Sequence, residues 1–389
     1  MKFLFLILFS LSLAITSFSQ NSWYKSNLHT HSYWSDGDEF PEMIMSWYKS
    51  HGYNFVALSD HNILAEGEKW IKVTHSKIYE DGFKAYVDKF GNEVTYKTDS
   101  GRFHVKLKTY TEYKPLFEDS KFLIIRSEEI TDKFQGKPIH MNATNVVKFI
   151  PPQGGTSAAD VIQRNIDAVL QQRKETGIPM FPHINHPNFY YSISVQDMIS
   201  LHGERFFEVY NGHFMVNNYG DSLHPGTEQM WDMINLAYLK KGQSLMYGLA
   251  TDDSHNYHQF GSAFSNAGRG WVMVKAEALT PEALIKAMEE GDFYASTGVE
   301  LSELRVEKKT ISIKVKAESG IDYQIHFIGA NKKDSQVREL EVISGTQGSF
   351  TLSPDHLYVR AKITCSKLKA NPFHDGEYEA AWTQPVKGN

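Results

Sequence analysis

Two short apolar runs that each end in histidine, with a helix signature between them, constrain this chain more than any other feature. Residues 25–31 close on Leu28-His29-Thr30-His31, and residues 54–59 lead into Asp60-His61-Asn62. Residues two apart on a strand project from the same face, so His29 and His31 can reach one divalent ion. An H-x-H pair alone arises by chance about once in a chain this rich in histidine. Its weight comes from Ser35-Asp36-Gly37 in the next loop and from Asp60 and His61 at the next strand end. Between the two runs, Asp38 and Glu39 suit a positive helix end, Pro41 the first turn and Gly52 the stop. Met43, Ile44, Trp47 and Tyr48 form the expected buried stripe. Strand, helix, strand implies a parallel pair with a crossover, which brings both histidine-bearing ends to the same side.

The pattern then repeats. Phe122-Leu123-Ile124-Ile125 predicts a strand running out into Glu128-Glu129, and Pro138-Ile139-His140 follows. Ser157 and Asp160 cap a helix carrying Val161, Ile162, Ile166, Val169 and Leu170. Residues 178–184 predict a strand ending in Asn185-His186-Pro187, residues 206–210 another, and residues 245–250 a strand that runs into Thr251-Asp252-Asp253-Ser254-His255. Residues 271–274 add one more, and Thr280-Pro281 opens a helix closed by Gly291. About seven strands result, at least five with His, Asp or Glu at the carboxyl end. That regularity predicts a closed or nearly closed β/α barrel with one polar mouth.

Residues 63–120 interrupt the alternation with scattered aromatics and charges, and read either as a surface excursion or as a lid beside the mouth. From residue 301 the chain turns to short alternating strands, predicting a small all-β, sandwich-like appendage over 301–389. His326, His356 and His374 have no metal-like spacing there and read as structural. At the other end, Lys2 precedes an apolar run and Ser17 and Ser19 suit cleavage, predicting an export signal over 1–19. The expected product is an exported protein, periplasmic or secreted, without a membrane anchor. The net charge of −6 gives no support for a nucleic-acid surface. One cysteine, Cys365, rules out an internal disulfide, so stability must come from the core and from bound metal.

The candidate ligands are His29, His31, Asp36, His61, Glu129, His140, His186, Asp253 and His255. Nine groups exceed what one four-coordinate ion needs and match two or three ions with a bridging carboxylate. Imidazoles and carboxylates without thiolates suit Zn, Mn or Fe. Arg269 reads as a surface arginine rather than a phosphate contact, Gly154-Gly155 as a plain loop rather than an anion cradle, and no nucleophile elbow is present.

His29-x-His31, Ser35-Asp36-Gly37, Ser59-Asp60-His61, Glu128-Glu129, Asn185-His186-Pro187 and Asp253-x-His255, in this order over residues 22–297, resemble the polymerase and histidinol phosphatase (PHP) family of metal-dependent phosphoesterases. The resemblance implies an α/β fold, a distorted seven-stranded β/α barrel over 20–300, with two or three metal ions at its mouth. It assigns His29, His31, Glu129 and Asp253 to a first ion, and Glu129, His140 and His186 to a second. Asp36, His61 and His255 fall to a third. Glu129 is preferred over Glu128 because Ile130-Thr131 follows it. Glu129, Asp60 and His255 are the residues expected to carry catalysis, Asp60 by orienting a ligand histidine. His183 reads either as support for a ligand or as a core histidine with a satisfied hydrogen bond. The implied activity is hydrolysis of a small-molecule phosphate mono- or diester. The alternatives are hydrolysis of a carbamate or ester at the same metals, as in some relatives of a secreted branch, and a silent metal-bearing binding protein.

Overall fold

The structure, a computed structural model, describes residues 21–388, so the export signal expected over 1–19 lies outside the described residues. In chain order the first elements are β1 (Ser22–Asn27), α1 (Pro41–Ser50) and β2 (Phe55–Leu58). An inserted group follows: β3 (Trp70–Lys72), α2 (Lys77–Phe90), β4 (Tyr96–Asp99), β5 (Arg102–Lys106) and α3 (Tyr110–Phe117). Then come β6 (Leu123–Phe134), β7 (Lys137–Thr144), α4 (Ala158–Thr176), β8 (Phe181–Ile184), α5 (Val195–Met198), β9 (Phe206–Asn211), α6 (Thr227–Lys240) and β10 (Tyr247–Thr251). The rest is β11 (Trp271–Ala276), α7 (Pro281–Glu290), β12 (Phe293–Ser296), and eight strands from β13 (Leu301–Glu307) to β20 (Val386–Lys387). The helix signals hold their places. Pro41 opens α1, Ser157 caps α4 by accepting from the Asp160 amide, and Gly291 ends α7 with positive φ; Gly177, which ends α4 with positive φ, was not read from the sequence.

The fold is mixed α/β, built on one 14-stranded sheet with further strands at its C-terminal end. Its first part runs β10-β9-β8-β7-β6-β2-β1, with β1, β2 and β6 mutually parallel, as are β8, β9 and β10. The strand β7 was not foreseen. It folds back from β6 as an antiparallel hairpin through Gln135-Gly136, both at positive φ. β6 itself runs on past Glu128-Glu129 through a polar run to Phe134, where no apolar alternation marks the first arm of the hairpin. Beyond β1 the sheet continues through antiparallel β11 and β12. At the carboxyl ends the run-outs of β1 and β10 meet: the Asp253 amide donates to the His29 carbonyl and the His31 amide to the Ser254 carbonyl, both at 2.9 Å. The last residues of β1 therefore lie between the ends of β2 and β10.

The C-terminal strands are hydrogen-bonded into the same sheet. The strand Tyr378–Thr383 pairs with β12 and with His356–Leu368, which pairs in turn with Tyr323–Asn331. The three-stranded sheet built on β13 faces this extension across a core of Ile311, Ile313, Ile325, Phe327, Val359 and Ile363. Burying each such side chain stabilises the fold by about 1.5–3 kcal/mol.

The inserted group has its own core of Val73, Phe83, Tyr86, Val94 and Val105, packed on Trp34 and Phe40. It grips the loop that follows His31: the Trp34 indole donates to the Lys108 carbonyl at 2.9 Å. It also changes which face of α1 is buried. Glu42 and Met45 are enclosed alongside Ile44 and Tyr48, and the Tyr86 hydroxyl donates to Glu42. A helical stripe read from one face misses a second partner on the other.

Candidate metal centre

Strand ends and their run-outs assemble the centre. Parallel pairing of β2 with β6 persists past the end of β2: the Asn62 amide donates to the Glu129 carbonyl and the Glu129 amide to the Asp60 carbonyl, and His61 lies beside Glu129. The two-residue alternation of β6 sends Glu129 to the histidines and Glu128 to the opposite face, where it accepts from the Ile150 amide. His140 comes from β7, His186 follows β8, and Asp253 and His255 follow β10. His186 and Asp253 both have positive φ, a strained backbone that recurs at functional sites.

All nine groups named from the sequence lie together. His29 Nε2 is 3.4 Å from Glu129 Oε2 and 3.2 Å from Asp253 Oδ1. His31 Nε2 is 3.2 Å from each of the same two oxygens. A tetrahedral ion with bonds of ~2.0–2.1 Å needs ligand atoms about 3.3 Å apart, and these four imidazole–carboxylate distances lie close to that spacing. Three of them, His29 Nε2, His31 Nε2 and Glu129 Oε2, are buried with no hydrogen-bond partner. Orphaned buried polar atoms are costly, and a shared cation removes the cost. On the other side of the carboxylate, Glu129 Oε1 stands 3.1 Å from His140 Nδ1 and 3.5 Å from His186 Nε2, and accepts from Asn185 at 2.8 Å. Asp36, half-exposed, faces His255 at 3.4 Å, His61 at 3.5 Å and His31 at 3.7 Å.

The charges follow from this crowding. Burial works against the ionised Glu129, but the rings of His61, His29 and His140 hold its carboxyl well below the usual range. Burial likewise opposes protonation of His61, yet Glu129 and Asp36 push it up to about 11. An ion entering here displaces those protons, so metal loading strengthens as pH rises.

Other residues hold the ligands. Asp60 accepts from the Ser32 amide and hydroxyl and from the Ser35 hydroxyl, at 2.6–2.8 Å. It reaches His31 only through Ser35, whose oxygen is 3.3 Å from His31 Nδ1. Gly37 passes so close to the His31 carbonyl that a Cβ would sit 2.5 Å from it. His183 is fully buried with neither nitrogen hydrogen-bonded, 3.5 Å from Glu208. Arg269 is not a surface residue: its guanidinium donates to the carbonyls of Gly212, Gly261, Phe264 and Asn371, tying three loops together. The Gly154 amide is taken by Asp132 at 2.8 Å, leaving a plain loop.

Glu208 was missed. Fully buried in β9, it accepts from His29 Nδ1 at 2.7 Å and from Thr251, Asn211 and the His186 amide at 2.8 Å. The hydrogen bond to Nδ1 leaves the His29 Nε2 lone pair for a metal. The available signal was a lone carboxylate inside the apolar run Phe206-Phe207-Glu208-Val209-Tyr210. Glu208→Gln should weaken metal binding at His29 by about 10–100-fold, read by competition with a coloured chelator; unchanged affinity would remove this role.

Among the described residues no helix is long and apolar enough to cross a membrane. No protein-family model matches the chain, and no curated relative matches it either. Solved structures similar to it include a two-domain protein from Bacteroides vulgatus containing a predicted PHP-like metal-dependent phosphoesterase. That pair shares 13% identity and a TM-score of 0.40, over 94% of this chain and 96% of that one. A predicted metal-dependent phosphoesterase from Bifidobacterium adolescentis shares 13% identity and a TM-score of 0.30, over 68% and 96% of the two chains. An amidohydrolase from Chromobacterium violaceum, with bound sulfate and no metal, shares 11% identity and a TM-score of 0.28, over 59% and 87%.

Proposed function

We propose that this protein is a metal-dependent hydrolase of phosphate mono- or diesters, a member of the PHP family carrying two or three divalent ions. The observation that carries the reading is the Glu129 carboxylate, whose two oxygens face different sets of imidazoles while Oε2 and two of those imidazoles lack any hydrogen-bond partner. His29, His31, Glu129 and Asp253 would hold one ion, Glu129 with His140 and His186 a second, and Asp36, His61 and His255 a third. Zn, Mn or Fe ions, when bound, lower the pKa of water and polarise a phosphoryl oxygen. The chain's own part is positioning: Glu208 orients His29, the Ser35–Asp60 pair orients His31, and Asn185 fixes Glu129. We read the seven strands β1, β2, β6, β7, β8, β9 and β10, with the hydrogen-bonded meeting of β1 and β10, as a distorted barrel of that family. Export through residues 1–19 belongs to the same proposal.

Hydrolysis of a carbamate or carboxylic ester is the second reading, favoured by one observation. Among the described residues, every ion pair of Asp36, Glu129 and Asp253 is to histidine and none is to lysine or arginine, the side chains that would favour the extra charge of a phosphate. Metallated protein should be assayed in parallel on an aryl phosphate monoester, a diester, an aryl carbamate and a carboxylic ester. The expected result is phosphate-ester turnover that chelation abolishes and added metal restores. Turnover of the carbamate or carboxylic ester alone would overturn the phosphate assignment, and metal without turnover of any would favour a binding protein.

A further inference from the structure

We propose that His213 is a substrate-contacting residue of this site, its Nε2–H donating to an anionic oxygen of the ester; the inference rests on the hydrolase reading above. His213 lies two residues beyond β9 and is none of the candidate ligands. Its ring stands edge-on to that of His255, with centroids 5.4 Å apart, and edge-on to Phe189 at 5.7 Å. Phe189 in turn is 5.1 Å from the His186 ring. His213 therefore borders the centre between two of the ligand histidines.

The hydrogen bonding fixes what this ring offers. The Met215 amide donates to His213 Nδ1 at 3.1 Å, so Nδ1 is an acceptor and the neutral ring carries its proton on Nε2. Among the described residues Nε2 has no hydrogen-bond partner. A donor without a partner at the rim of the site can give a hydrogen bond to substrate oxygen.

The ring is also held in place. The His213 amide donates to Asn211 Oδ1 at 2.8 Å, Asn211 and Asn218 exchange two hydrogen bonds, and Arg269 donates to the Gly212 carbonyl at 2.9 Å. Phe214 stacks on the ring at 4.9 Å. Pre-organised donors of this kind need no rearrangement when substrate arrives.

The test is calorimetric titration of inorganic phosphate into the metallated full-length chain, with metal content measured for each variant. His213→Phe keeps an aromatic ring and removes the donor; His213→Gln restores an N–H near the same place. The expected result is about tenfold weaker phosphate binding by His213→Phe, substantial recovery by His213→Gln, and full metal in both. Equal binding by His213→Phe and wild type at full metal would overturn the inference. Loss of metal from His213→Phe would overturn it too, by making His213 a support of the ligands. If metallated wild type binds no phosphate, the phosphate reading itself falls and takes this inference with it.

Discussion

Glu129→Gln should lower turnover by at least ~10²-fold, a size typical of losing a metal-site or electrostatic group, and should release more than one metal equivalent. The substitution conserves shape but removes the carboxylate whose two oxygens face His29 and His31 on one side and His140 and His186 on the other. It also places an amide, with hydrogens to donate, among His29, His31 and His61, whose nitrogens lie 2.8–3.4 Å from Glu129 Oε2. No other single ligand among the nine touches as many partners. Elemental analysis of matched preparations, metallated and desalted together, reads the metal loss directly. A variant that keeps its full complement would show that Glu129 bridges nothing.

Arg360→Ala should cost about 3 kcal/mol of stability, read as a lower denaturant midpoint in full-length protein, without touching the metal centre. Arg360 lies on the C-terminal strand His356–Leu368, almost fully buried, and makes two 2.7 Å hydrogen bonds to Asp232 and one of 3.0 Å to Glu228, both on α6. Its guanidinium also covers the Trp231 ring at 4.8 Å. Breaking a buried pair by removing one partner strands the other charge, at a cost of ~3–5 kcal/mol. The low end applies because Asp232 and Glu228 keep part of their water and Lys362 still reaches Glu228 at 2.6 Å. A loss under about 1 kcal/mol, the range of surface pairs, would mean that the layers are held by their apolar contacts alone. Unchanged metal content would separate this effect from any damage to the mouth.

The order of apolar runs and caps determined much of this molecule by itself. Pro41, Ser157, Thr280 and Gly291 mark helix ends through bonds and backbone angles that depend only on near neighbours, so they are legible in one dimension. Parallel strand ends share one side of a sheet, and this is why His29, His31, His61, His186, Asp253 and His255 lie together; Asp36 joins them from a loop and His140 from antiparallel β7. What tertiary structure alone decided is where long-range partners meet. Glu208 and His213 matter through rings contributed by other strands, and nothing local distinguishes a buried carboxylate that orients a histidine from an ordinary strand residue. Arg269 looks like a surface arginine until three loops bring their carbonyls around it. The hairpin of β6 and β7 was hidden because hydrophobic alternation fails where side chains such as Glu129 and His140 face the polar mouth instead of core. The C-terminal strands join the main sheet through backbone hydrogen bonds between Tyr294 and Thr383 and their neighbours, and backbone pairing leaves no mark on side-chain pattern. Sequence periodicity records which face of an element is buried; only the folded chain records what it is buried against.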